Sequence, residues 1–382
     1  MKHSLFFVIL ILLFSACDAI EDGLAGDSKI INHEFDDQAL GLDLVETENG
    51  LIVLSTTDPE STIFSFDAKY FVSSYDNDGD LITTNEAFLG YVLNDIYIND
   101  NKRIFLAGSK DDKATLVEID SDLNIINSVS IDKPGSSIFS QVTMNNSGEL
   151  FAVGRYKEPN PDEGLLVKFN ADFTEANNVT IPVEGVSYTC ADLTIIDNSL
   201  YTICGPRSSE DKKAFVFEYN FNIFPINGVS LNVSTPKGLV AVNNQLVAIA
   251  ENGSSNVAEI YKINTALDIL SSSEITTPDA SGSIALGQIN ANDSDVIITL
   301  NYVDFGNETC PISSVIKKYD VASFSKTGEQ IIRCDDHNVI TTYFLTAIPF
   351  SNAEFAATGM TMNLEQKERL SIAFMNNDLS IR

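Results

Sequence analysis

The 382-residue chain has no tryptophan and only three histidines. His3 lies in the first apolar stretch and His33 near the start of the folded region, which leaves His337 as the one histidine available to a site. A zinc centre needs three or four ligands, and a nucleophile needs a base within hydrogen-bonding reach, so neither is supported. G-x-S-x-G, H-E-x-x-H and glycine-rich phosphate loops are also missing. Basic residues are scarce: 23 Lys and Arg stand against 54 Asp and Glu, a net charge of −31. Such a surface repels phosphate backbones, which excludes nucleic acid as a partner. After the first few residues no run is apolar enough to span a bilayer. A hydrophobic content of 44% is nevertheless enough for a large core.

The N-terminus, MKHSLFFVILILLFSAC, has a short basic start, the apolar run Leu5–Phe14, and then Ser15-Ala16-Cys17. The run is too short to cross a membrane, and small residues after it read as a cleavage site. Cysteine directly after them resembles the bacterial lipoprotein lipobox, with Phe14 where leucine is usual. That resemblance implies a signal peptide over residues 1–16 and acylation of Cys17. Residues 17–28 then form the lipidated cysteine and a small, acidic tether. The expected address is the bacterial cell envelope, outer membrane ahead of inner, with membrane contact through the lipid anchor only.

What the chain does have is a repeat. A polar turn followed by an apolar strand recurs as ENGLIVLST (48–56), NKRIFLAGS (101–109), SGELFAVGR (147–155), DNSLYTICG (197–205), NNQLVAIAE (243–251), DSDVIITLN (293–301) and NAEFAATGM (352–360). A short strand precedes most copies, a third strand such as EGLLVKFN follows, and then a fourth, more polar strand. Seven four-stranded units of about fifty residues predict an all-β fold over residues 29–382, a seven-bladed β-propeller of antiparallel blades. The last unit lacks its fourth strand. The spare segment SKIINHEFDD (28–37) resembles one, so the N-terminal strand is expected to close the ring beside RLSIAFMN. The pattern resembles the repeat propellers of exported bacterial lipoproteins. Lack of tryptophan separates it from tryptophan-aspartate repeats, sialidase-type Asp-boxes and quinone-binding propellers.

YDNDGD (75–80) places Asp76, Asp78 and Asp80 around Gly79 in a way that suggests Ca²⁺. An EF-hand loop would need an acid at Ser74 and a bidentate Glu at Asn85, and strands flank it here. It is read as a hairpin turn, with a weak Ca²⁺ site as the alternative and no cofactor expected.

Four cysteines remain after Cys17. Cys190 and Cys204 flank one hairpin symmetrically and Cys310 and Cys334 flank another, so two disulfides are expected, with Cα separations of about 4.4–6.8 Å. Both pairs fall at the end of the ring that also carries the longest connections. The candidate binding face there comprises Tyr156, Tyr188, Arg207, Tyr302, Asp304, Phe305, His337 and Tyr343. The leading functional reading is a non-catalytic scaffold that presents this face to a protein or glycan. The alternative is a carbohydrate-active hydrolase or lyase using carboxylates from Asp304, Glu308, Asp335 and Asp336.

Overall fold

Every blade is built around a second strand with burial on both faces. In Leu150–Tyr156, for example, six of seven residues are buried, because neighbouring blades pack on either side. A strand covered on both faces must be apolar nearly throughout, and that produces the repeated run in the sequence. The outer strands face water and carry polar residues instead, as Glu175–Ile181 does. The computed structural model describes residues 30–33, 39–57, 68–131, 133–157, 162–181, 187–206, 213–251, 258–275, 283–303, 312–332, 339–351, 354–363 and 368–381. Among them there is no helix.

Blades 1 to 5 span residues 39–85, 91–130, 137–181, 188–230 and 235–275, each a four-stranded antiparallel sheet in sequence order from the channel outward. Blade 6 spans residues 283–332. Blade 7 has three strands in residues 339–375 and takes its outer strand from Ile30–His33. That strand runs antiparallel to Glu368–Met375, with Ile30 opposite Ala373 and His33 opposite Leu370. The N-terminal strand thus closes the ring. One parallel bridge, Ile312 to Thr341, joins blades 6 and 7 into a continuous sheet.

The two ends of the ring differ. One carries the turns between first and second strands and between third and outer strands, and we call it the turn face. The other, the loop face, carries the connections between second and third strands and between blades. The two-residue turns Asp197-Asn198 and Asn243-Asn244 use left-handed residues, Asp197 in the first and both asparagines in the second.

YDNDGD is a longer turn, between the third strand and the outer strand of blade 1, with Gly79 as its left-handed residue. The Asp76 carboxylate accepts the N–H groups of Asp78 and Asp80, both at 2.9 Å, and Gly79 N–H closes on the Asp76 carbonyl. Asp120, Asn220 and Asn264 accept local N–H groups in the matching turns of blades 2, 4 and 5. No cluster of three or more acidic, histidine or cysteine side chains is arranged for a metal among the described residues.

Cys190 and Cys204 are direct cross-strand partners in blade 4 and form the expected disulfide. Their Cα separation is 3.9 Å, closer than the range expected from general disulfide geometry. Directly opposed residues on adjacent strands already sit at about 4.5 to 5.5 Å, so the bond draws in two positions that pairing had brought together. Cys310 and Cys334 lie outside the described residues, as does everything before Ile30, Cys17 included.

Candidate functional site

Each of the seven inner strands carries a β-bulge at the same height. The register slips between Gly41 and Asp43, Leu93 and Asp95, Phe139 and Gln141, Cys190 and Asp192, Pro236 and Gly238, Leu286 and Ile289, and Phe344 and Thr346. A bulge pushes one residue out of the ladder and re-aims its neighbours. The displaced positions include Leu42, Asn94, Ser140, Gly287 and Leu345, and these line a cavity of about 360 Å³ in the channel. Ile138, Arg155, Thr189, Leu286 and Gln288 complete the lining. Ile138 and Thr189 stand second in inner strands that begin at the loop face, and Arg155 pairs with Ile138. The cavity therefore occupies the loop-face half of the channel.

Its wall mixes aliphatic residues, Leu42, Ile138, Leu286 and Leu345, with polar ones, and blades 3 and 6 supply both kinds. Asn94 donates to the Phe139 carbonyl at 2.6 Å, which fixes its side chain between blades 2 and 3. Arg155 has Asp162 at 3.7 Å, with both side chains mostly buried. Lys237, at the bulge of blade 5, pairs with Glu251 at 3.2 Å. Glu251 also accepts the Leu286 N–H at 2.6 Å and so ties blade 5 to blade 6.

The residues after three of the bulges are buried acids that sequence reasoning missed. Asp43 accepts N–H groups from Leu44 at 2.8 Å and, in blade 2, from Ile96 at 3.2 Å. Asp95 reaches Val142 of blade 3 at 2.9 Å, and Asp192 reaches Leu239 of blade 5 at 2.7 Å. Each carboxyl pins its blade to the next. Burial pushes Asp43 up to about 6 and Asp192 up to about 7. Asp95 is raised well above the usual carboxylate range by burial and by the charge of Asp43, with which it shares a hydrogen bond. The hydrogen bond between the two carboxyls acts on them in opposite directions, lowering Asp43 and raising Asp95. These oxygens are held by backbone N–H groups, by the hydrogen bond between Asp43 and Asp95 and, at Asp43, by the Gln288 side chain, which makes the trio structural. A signal did exist in the sequence: LDL, NDI and ADL recur in the first strands of blades 1, 2 and 4.

The anticipated face is only partly visible. Tyr156, Tyr188 and Tyr302 are buried, so they lie beneath the face rather than on it. Tyr156 donates to the Pro134 carbonyl under the Lys133 ammonium, and Tyr188 donates to the Lys213 carbonyl at 3.2 Å. Tyr343 is half-buried, with its pKa raised by burial and by Glu251. Arg207, Asp304, Phe305, Glu308, Asp335, Asp336 and His337 lie outside the described residues. The structure thus brings together Asn94, Ser140, Arg155, Thr189 and Gln288, none of which the sequence had marked.

No family model matches the chain, and no curated protein matches it. Solved structures do. A streptogramin B lyase superposes with a TM-score of 0.53 at 13% identity, over 91% of this chain and 97% of that one. The β-propeller domain of the Trilobed protease from Pyrococcus furiosus, described as having an open velcro topology, gives 0.52 at 9% identity, over 91% and 98%. An acylaminoacyl peptidase from Pyrococcus horikoshii gives 0.53 at 10% identity, over 92% of this chain but 53% of that one. At such identities the likeness is one of fold: the chain is similar to these proteins as a β-propeller.

Proposed function

We propose that the protein is a lipid-anchored, extracytoplasmic binding scaffold whose loop face receives a protein or glycan. The observation that carries this reading is the cavity on the loop-face side of the channel. Its volume falls within the range of small-ligand pockets. Aliphatic residues of blades 1, 3, 6 and 7 offer it an apolar floor, while Asn94, Ser140, Thr189, Gln288 and Arg155 offer polar contacts. One sugar ring or one peptide side chain would fit such a wall, with the remainder of the ligand lying across the loop face. A hydrolytic or lytic reading would need carboxylates able to reach the ligand. The three acids at bulge height are instead buried and held by neighbouring blades, which favours binding without chemistry.

Glycan and peptide arrays probed with the purified protein should give a ligand whose affinity titration calorimetry can measure. Filling the cavity with Ser140→Trp should weaken that ligand at least tenfold without loss of fold. Unchanged affinity in this variant would remove the cavity from the reading. Turnover of an arrayed glycan would replace the scaffold with an enzyme.

A further inference from the structure

The closing strand has a direction, and the direction gives the molecule an orientation. Ile30 lies opposite Ala373, next to the turn that follows Met375, so the chain enters the ring at the turn face. The twelve residues from Asp18 to Lys29 can span at most about 40 Å. A blade is one strand tall, about 25 Å for seven or eight residues. If the loop face were nearest the lipid, the tether would have to run back along most of that height.

The same end of the ring carries unpaired apolar side chains in a repeated position. Each outer strand of blades 1, 2, 4 and 5 has a bulge one or two residues after its turn. The displaced residues are Ile82, Ile126, Ile226 and Leu270, and all are at least half exposed. Phe224, beside Ile226, is 62% exposed. Outer-strand bulges protect edges from pairing with another sheet, and that purpose would be served by polar residues. Blades 3 and 6 have the same bulge with Ala176 and Thr327 displaced, and the aliphatic side chains at the other four positions give this end of the ring an apolar rim.

We infer that the turn face is the membrane-facing surface, with Ile82, Ile126, Phe224, Ile226 and Leu270 in contact with the outermost layer of the lipid. This rests on the reading of Cys17 as the acylated anchor, because the position of Ile30 then delivers the turn face to the bilayer. The turns also carry Asp78, Asp122, Asp172 and Asp268, so the contact is shallow and favours zwitterionic over anionic lipid. The cavity, at the opposite end, faces away from the membrane.

The test places a fluorescent unnatural amino acid at Asn222, an exposed turn-face residue, or at Leu89, which is 84% exposed between blades 1 and 2 on the loop face. The acylated chain is reconstituted in phosphatidylcholine vesicles containing headgroup-quencher lipids. Quenching is expected at 222 and not at 89. It should fall at least twofold when Ile82, Ile126, Ile226 and Leu270 are all changed to serine, and should also fall as phosphatidylglycerol replaces phosphatidylcholine. Quenching at 89, quenching at neither position, or no response to the four serines overturns the inference. So does a concentration-dependent change at 222 without vesicles, which would assign the rim to a second copy. A parallel arm holds the chain from Asp18 on nickel-chelating lipid through an N-terminal hexahistidine tag. If the full chain fails to float with vesicles but 222 is quenched on nickel lipid, the Cys17 reading falls and the surface assignment stands.

Discussion

Gly79 shows how one residue serves the ring. The turns that follow the third strands hold an apolar residue at positive φ in the other blades: Leu123, Phe173, Ile223, Leu267, Phe324 and Leu379. Most of these are buried, and that burial offsets the backbone strain, about 1–3 kcal/mol for a non-glycine residue. Sequence reasoning took the turns as polar because Asp and Asn begin them, and it passed over the apolar residue, since left-handed positions ordinarily go to Gly or Asn. Blade 1 has glycine here because a side chain would meet Ile31 of the closing strand and Phe374. Gly79→Ala should cost about 2–4 kcal/mol in chemical denaturation, from positive φ and overpacking together. Adding Ile31→Ala should recover part of that loss. If the double variant is as unstable as the sum of the two single ones, the closing strand does not compete for that space.

Asp192 gives a second test at this scale. Its folded pKa lies near 7, above the ordinary value of 3.8, so the folded state holds a proton that the unfolded state has released between those limits. The associated stability is present below about pH 4 and is lost as pH rises towards 7. Repulsion among the surface acids has the same sign, so the informative quantity is the difference from Asp192→Asn. Wild type should lose stability relative to the variant by about 1.4 kcal/mol per pH unit inside this window. Parallel stability curves for the two proteins would show that Asp192 is ionised throughout.

Among the elements, the second strands were the most legible, because burial on both faces writes a continuous apolar run. The closing strand was legible from a deficit, one missing outer strand and one spare segment of outer-strand character. The cavity was not legible. Its wall takes three residues each from blades 3 and 6 and single residues from blades 1, 2, 4 and 7, and the bulge positions hold Leu, Asn, Ser, Ala, Lys, Gly and Leu without any shared chemistry. What they share is a register slip, and hydrophobic pattern does not reveal it. The closing strand also holds its place by polar contacts: Asn32 accepts from Thr361 at 2.9 Å and Ser371 at 2.7 Å, and His33 packs on Tyr75 of blade 1 at 4.7 Å. Deleting residues 28–37 should therefore lower stability by about 3–5 kcal/mol, as expected for loss of a half-buried, hydrogen-bonded strand that covers the edge of blade 7. A peptide of that sequence added in trans should restore part of it. An unchanged denaturation midpoint would mean that other contacts between blades 7 and 1, such as Glu46 with the Ser351 N–H at 3.0 Å, suffice to hold the ring.

At the scale of the molecule, the proposed lipid anchor gives a direct prediction. Metabolic labelling with a palmitate analogue should tag the protein, and Cys17→Ala should abolish the tag. Label that persists in the variant would remove the anchor, and with it the membrane address.

The closing strand also has a consequence in time. Every other blade can form from residues within about fifty positions of one another, as soon as that stretch of chain is available. Blade 7 cannot. Asn32 and Ser371 are 339 positions apart, and joining ends at that distance costs about 3 kcal/mol more than closing a hairpin-sized loop. Until the last strand is delivered, the first strand has nowhere to pair, and the edges of blades 1 and 7 stay open. A chain threaded through a membrane from its N-terminus would hold its first element in reserve for the whole passage, and its final step of folding would join the beginning of the chain to the end.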